Sequence, residues 1–331
     1  MNKSTHIMKR LCKIGYGRQG LAAFVALAAT ALTLPASAVN ITKNTTLTAD
    51  TTYTSVVTFQ GNYTLDLNGH VATIKSGGNA ITARSSEYTG TITDSAGGGE
   101  LRIEVASGKT QTAQRYAITG KVKVVKTGAG TLSLISDKTH DYTGGTEVQA
   151  GTLKINTTTA NVFGAGGQTV SVGESRTIDL GGNSANLTNY TIAMVEGAKI
   201  INSGADTTAA VKVSGTFSPV ATAGGFTVAP QNGTTIDFSR WNAAFPIVSP
   251  AFLFAANGTY PLNLKPTATM AELGKSRDGD GAYNGYLIGW SAAPSGVAFQ
   301  KQEGLGDQFR IKSKAKGLLL EYISGLGVIL K

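Results

Sequence analysis

Cysteine is nearly absent: the 331 residues hold one, Cys12, close to the N-terminus. That excludes a disulfide framework and any thiolate metal site from the rest of the chain. Charge is sparse too, at 15% of residues, and mean hydropathy is zero, which excludes both a membrane-rich and a plainly disordered chain. Glu and Lys give way to 42 Gly and to Thr, of which 40 fall between Thr42 and Thr269 and none beyond. Few helix formers and many β-branched residues argue against a helical bundle or a doubly wound α/β fold.

The formal charge of +9 belongs mostly to the first 38 residues, which carry Lys3, Lys9, Arg10, Lys13 and Arg18 and no acid. Removing those five from the 29 cations leaves 24 against 20 acids, a net +4 that is too small and scattered to indicate a nucleic-acid partner. After the basic stretch comes "LAAFVALAATALTL" (Leu21–Leu34), then Pro35 and "ASA" (Ala36–Ala38). A basic region, a short apolar run and a small-residue site predict a signal peptide over residues 1–38, cut after Ala38. The run is shorter than the ~20 residues a spanning helix needs, so no transmembrane segment is expected after cleavage. Cys12 would leave with the leader. So would "GYGRQG" (Gly15–Gly20), whose match to a dinucleotide fingerprint lacks the flanking strand and helix.

From Asn40 to about Ile236 short alternating runs follow one another between Gly and Asn turns. They include "YTLDLNGHVATI" (Tyr63–Ile74), "ELRIEV" (Glu100–Val105), "KVKVV" (Lys121–Val125), "GTLSLI" (Gly130–Ile135) and "TVSV" (Thr169–Val172). Alternation over four to six residues at a spacing of about ten is the signature of half-buried strands in a sandwich, barrel or solenoid. Weak repetition favours the solenoid. "TLDLNG" (Thr64–Gly69), "TIDLGG" (Thr177–Gly182) and "TIDFS" (Thr235–Ser239) share one pattern, and "GTLSL" returns as "GTLKI" 21 residues on. One coil per ~20 residues, with rungs about 4.8 Å apart, makes the segment a stack of about nine coils.

"VVKTGAGTLSLISDKTHDYTGGTEVQAGTLKIN" (Val124–Asn156) closely resembles the autotransporter-associated β-strand repeat, also called the passenger-associated transport repeat. Its carriers here are "KTGAGTLSL" and "YTGGTEVQAGTLKI", and the likeness extends over roughly residues 121–195. The resemblance implies a right-handed parallel β-helix in a secreted or cell-surface protein. Residues 266–331 offer only about six strands of the ~10 residues a membrane barrel needs, without aromatic girdles, so the expectation is a passenger-type chain lacking a translocator barrel.

After Phe238 Pro and aromatics gather, with Trp241, Phe245, Phe252, Phe254 and Tyr260, then a "YLIGW" strand (Tyr286–Trp290). The division expected is therefore a signal peptide (1–38), a β-solenoid (39–238) and a C-terminal β-rich cap or small module (239–331). A solenoid's last coil needs such cover for its apolar rows and open edges.

Sites of chemistry are hard to find. No G-x-S-x-G, H-E-x-x-H or phosphate-binding loop occurs, and only His70 and His140 remain beyond the leader. His140, beside Asp141 in a Gly-rich turn, reads as solvated. Asp66, Asp179 and Asp237 lie mid-strand and are expected to point outward. They sit coils apart, too far for paired-carboxylate glycoside chemistry. "SRDGDGAYNG" (Ser276–Gly285) lacks the full Ca²⁺-loop spacing. No catalytic, cofactor or metal residue is assigned. The function expected is a non-enzymatic structural or adhesin-like β-helix at the bacterial surface, with host or matrix glycans or other surface proteins as partners. The alternative is a β-helical polysaccharide lyase or hydrolase.

Overall fold

Strict alternation gives each short strand one face to bury, and the chain buries it by coiling. The structure is a computed structural model that describes residues 38–159, 161–183, 187, 189–204, 210–218, 226–238, 251–264, 286–290, 293–301, 309–315 and 317–322. No α-helix occurs among these residues, and none of their elements is a helix long and apolar enough to cross a membrane.

Four coils of three strands come first: β1 (Val39–Ile41), β2 (Thr45–Thr46) and β3 (Thr51–Tyr53); β4 (Val57–Phe59), β5 (Thr64–Asp66) and β6 (Val71–Ile74); β7 (Ile81–Ala83), β8 (Gly90–Thr93) and β9 (Glu100–Glu104); β10 (Thr110–Ala113), β11 (Tyr116–Ile118) and β12 (Lys123–Thr127). Each strand pairs in parallel with its counterpart one coil on, which builds three faces. The next coils lay down two strands each: β13 (Thr131–Leu134) and β14 (Thr146–Val148); β15 (Thr152–Ile155) and β16 (Thr169–Val172); β17 (Thr177–Asp179) and β18 (Thr191–Met194); β19 (Lys199–Ile201) and β20 (Ala210–Phe217). The face made of β2, β5, β8 and β11 ends at β11, while the other two continue. The result is the expected all-β parallel solenoid, of about nine turns.

Parallel pairing runs on through β21 (Thr227–Pro230) and β22 (Thr235–Asp237) and, past Phe238, through β23 (Ala251–Phe252) and β24 (Thr259–Asn263). With β25 (Tyr286–Gly289) set aside, β26 (Ala298–Lys301) is the last strand of that stack. An antiparallel sheet follows, in which β28 (Gly317–Tyr322) lies between β25 and β27 (Phe309–Lys314). In this part Phe254 and Tyr260 are buried, while Phe252 and Trp290 pack half-exposed against them. Trp241 and Phe245 lie outside the described residues.

The registers explain the composition. Thr110, Thr131, Thr152 and Thr177 stack in four successive coils on the outer side of one face. Directly inside, Leu132, Leu153, Ile178 and Ile200 form a buried row. Each such side chain gains about 1.5–3 kcal/mol from burial, and aligned Thr satisfies the β-preference of the outer row. "GTLSL" and "GTLKI" are neighbours in this stack, as their spacing implies. "TLDLNG" and "TIDLGG" are not equivalents, because β5 and β17 belong to different faces. The short T-I/L-D pattern marks a strand end before a turn and not one fixed place in the coil.

Candidate functional site

The point where the third face stops is the most specialised place in the solenoid. A parallel strand left at an edge exposes unpaired backbone groups, and β11 is such a strand. The segment after β13 covers it without forming a strand. His140 Nδ1 accepts the Ile118 N–H at 3.1 Å, and the Asp141 N–H donates to the Ile118 carbonyl at 3.0 Å. Ser136 Oγ donates to the Tyr116 carbonyl at 3.0 Å, and the Thr143 N–H to that of Gly120 at 2.8 Å. One coil later Thr157 and Thr159 hydroxyls donate to the Ser136 carbonyl. Side chains and backbone N–H groups of a non-strand segment together take over the edge of β11.

His140 is 3% exposed and its ring lies 5.0 Å from that of Tyr116 with the planes tilted by 44°, so the imidazole is a buried edge cap and not the solvated turn residue expected. Burial lowers its pKa to about 4, which keeps it neutral and able to accept. Burial also pushes the Tyr116 and Tyr142 phenols up. Tyr142 reaches Thr146 Oγ1, and Phe163 and Tyr190 stack edge-on at 5.6 Å in the following coils. These rings fill the side of the core that the missing strands leave.

Lys126 lies in the next strand, on the inward phase of β12. Its register partners are Ile103 and Val148, in a row running from Ile74 to Met194, and it is 1% exposed. Its ammonium donates to the carbonyls of Thr127 at 2.8 Å, Gly128 at 2.7 Å and Ala150 at 2.9 Å. Burial, aided by the positive charge of Arg176, lowers its pKa to about 8. The lysine of "KTGAG" therefore pins its own corner to the next one. The glycines follow from the same closeness: a Cβ at Gly128 would strike the Val105 carbonyl, and one at Gly151 the Gly130 carbonyl. Both also hold positive φ, +70° and +67°.

Residues 124–155, which hold this lysine, these glycines and the edge cap, match the family model described as passenger-associated-transport-repeat. The resemblance seen over Val124–Asn156 is thus met by an autotransporter-passenger type of repeat set within a β-solenoid. Searches of curated proteins and of solved structures give no match.

The three strand aspartates need a correction. Asp179 is 5% exposed and Asp237 fully buried; only Asp66 is half-exposed. Each ends its strand, and at Asp66 and Asp179 the chain turns and the carboxylate folds back as a cap. Asp66 accepts from the Asn68 N–H and, one coil on, from the Ser95 N–H and hydroxyl. Asp179 accepts from the Gly181 and Ser203 N–H groups, with Lys154 at 3.5 Å. Desolvation raises both carboxyls, but these hydrogen bonds outweigh it and hold each below its usual range. In register Asp66 lies between Thr46 and Thr93, and Asp179 between Lys154 and Ile201, so neither has an acid opposite it. Asp94, next to Thr93, is buried and accepts from Gly69 and Gly99 N–H groups. Among the described residues no group of three His, Cys, Asp or Glu could hold a metal. Asp278 and Asp280 lie outside them.

The signal for the edge cap was available in the order of residues: aromatic and His side chains at 140 and 142 interrupt an otherwise Thr/Gly segment where a strand is due. Lys126 was legible by phase, falling two residues after Val124 and four after Val122.

Proposed function

We propose that this chain is an exported protein displayed at a bacterial surface, its solenoid acting as a structural or adhesive rod and not as an enzyme. The observation that carries the reading is the passenger-type repeat at 124–155, built into the stack from β12 to β15. The basic leader with its A-S-A site supports export, with residues 1–38 removed as a signal peptide. The turn-capping use of Asp66, Asp94 and Asp179 supports a non-catalytic role, because their oxygens are spent on backbone N–H groups. Glycans of a host or matrix, or other surface proteins, are the partners such a rod would meet. Export is tested by the intact mass of the protein recovered from outside the inner membrane. A chain beginning at Val39 supports the reading; a chain retaining Cys12 and remaining in the cytoplasm overturns it.

A further inference from the structure

The loss of the third face also leaves a hollow on the outside of the solenoid. Immediately after β13, β15 and β17, where earlier coils turn into β2, β5, β8 and β11, the chain instead lines a groove of about 360 Å³. That volume lies within the 300–1,000 Å³ typical of small-molecule sites. Three consecutive coils contribute to it: Ser136 and Asp137 from the first, Asn156 and Thr157–Thr159 from the second, Asn183 from the third. Asn156 and Thr158 are exposed there. The groove floor is fixed by its own hydrogen bonds. Thr157 and Thr159 hydroxyls donate to the Ser136 carbonyl, and Asn183 Nδ2 donates to the Ile155 and Gly181 carbonyls. Asn183 therefore keeps its amide oxygen as an acceptor.

The lining selects the ligand by what it offers. Among the described residues that line the groove there is no Lys, Arg or His, which disfavours an anion. The one carboxylate among these described residues, Asp137, is 3.4 Å from Lys138, which disfavours a bound cation. The one aliphatic side chain among them, Ile135, is too little for an apolar guest. What remains is a row of amides and hydroxyls on rungs about 4.8 Å apart, a spacing comparable with the length of one pyranose unit. We propose that this groove binds a short uncharged oligosaccharide laid along the solenoid axis, held by hydrogen bonds from Asn156, Thr158 and Asn183. The proposal rests on the surface-display reading and gives its glycan partner a place. With no aromatic ring to stack on among the described lining residues, single-site binding is weak and gains strength from many copies at a surface.

The test uses the chain from Val39 to Lys331, titrated by saturation-transfer NMR with two neutral trisaccharides, β-1,4-linked N-acetylglucosamine and α-1,4-linked glucose, and with heparin as the anionic control. The comparison is an Asn156→Ala/Thr158→Val double variant, both positions being exposed. The expected result is binding of at least one trisaccharide that falls at least tenfold in the variant, with an unchanged melting temperature. If a trisaccharide binds both proteins equally, the groove is overturned while the glycan-partner reading survives. If neither trisaccharide binds the unaltered chain, or only heparin does, the groove and the neutral-glycan partner both fall, and surface display stands on its own test.

Discussion

His140 Nδ1 accepts the N–H of Ile118 across 22 residues of sequence, and with that contact a sheet of four parallel strands comes to its end inside a longer stack. The imidazole can do this only while neutral, since a protonated ring would turn a donor toward a donor. Tyr116 and Tyr142 flank it, Lys126 lines the same small cavity, and the adjacent Asp141 uses its backbone N–H on Ile118.

Acid should loosen this junction. His140 has a folded pKa of about 4 against 6.5 for a free imidazole. Between those values the unfolded chain binds the proton and the fold does not, so stability is full above pH 6.5 and declines as pH falls toward 4. The total loss is about 3 kcal/mol. Asp66 and Asp179, held below their usual range, lose their contributions at lower pH. Urea midpoints at pH 7 and 4.5 read the effect. The His140→Gln variant, whose amide oxygen can accept, should show less than half the decline; an equal decline would assign it elsewhere.

Gln111 sits on an inward position in register with Leu132, is 1% exposed, and its amide N and O have no partner among the described residues. A leucine would extend the row of Leu132, Leu153 and Ile178. Gln111→Leu is expected to stabilise the chain by about 1–3 kcal/mol, because two buried orphan groups are removed without loss of volume. A destabilised variant in thermal melts would show that the amide is satisfied in solution.

Two glycines with the same φ of +70° separate strain from crowding. A Cβ at Gly108 meets open space, whereas one at Gly128 strikes the Val105 backbone. Gly108→Ala should cost about 1 kcal/mol, the left-handed penalty alone. Gly128→Ala should cost at least twice that, and equal losses in urea unfolding would refute the close approach of the two coils.

The lysine of the repeat is structural by the same logic. Lys126→Met keeps the aliphatic stem but takes the donor from the Gly128 and Ala150 carbonyls, for an expected loss of about 2 kcal/mol at pH 7. Its pKa of about 8 against 10.5 makes stability rise between pH 8 and about 10. Above pH 10 the buried Tyr116 and Tyr142, which hold their protons in the fold, reverse the slope. The rise between pH 8 and 10 should vanish in Lys126→Met; its persistence would place the titration on another group.

Much of this architecture is written in local pattern. Alternation in "GTLSL" and "GTLKI" gives the strands, and their 21-residue offset gives the coil, because in-register stacking admits little else. What alternation hides is where a face ends. Asp179 follows Ile178 and so reads as outward, yet β17 stops there and the side chain turns back to cap Gly181 and Ser203. His140 reads as a loop residue because nothing local marks it as the partner of Ile118, a long-range contact made by a side chain where a backbone would be expected. The groove beyond β13, β15 and β17 is invisible for the same reason: it is the space left by strands that are not there.

The proposed display of this solenoid at the surface is directly measurable because cysteine is so scarce. Cys12 is the chain's sole thiol and lies in the proposed leader. A Lys109→Cys substitution, at an exposed position between coils, adds one thiol to the mature protein. Intact cells treated with a membrane-impermeant maleimide should label that cysteine as fully as lysed cells do, with no label on the unsubstituted protein. Labelling that appears only after lysis would contradict surface display.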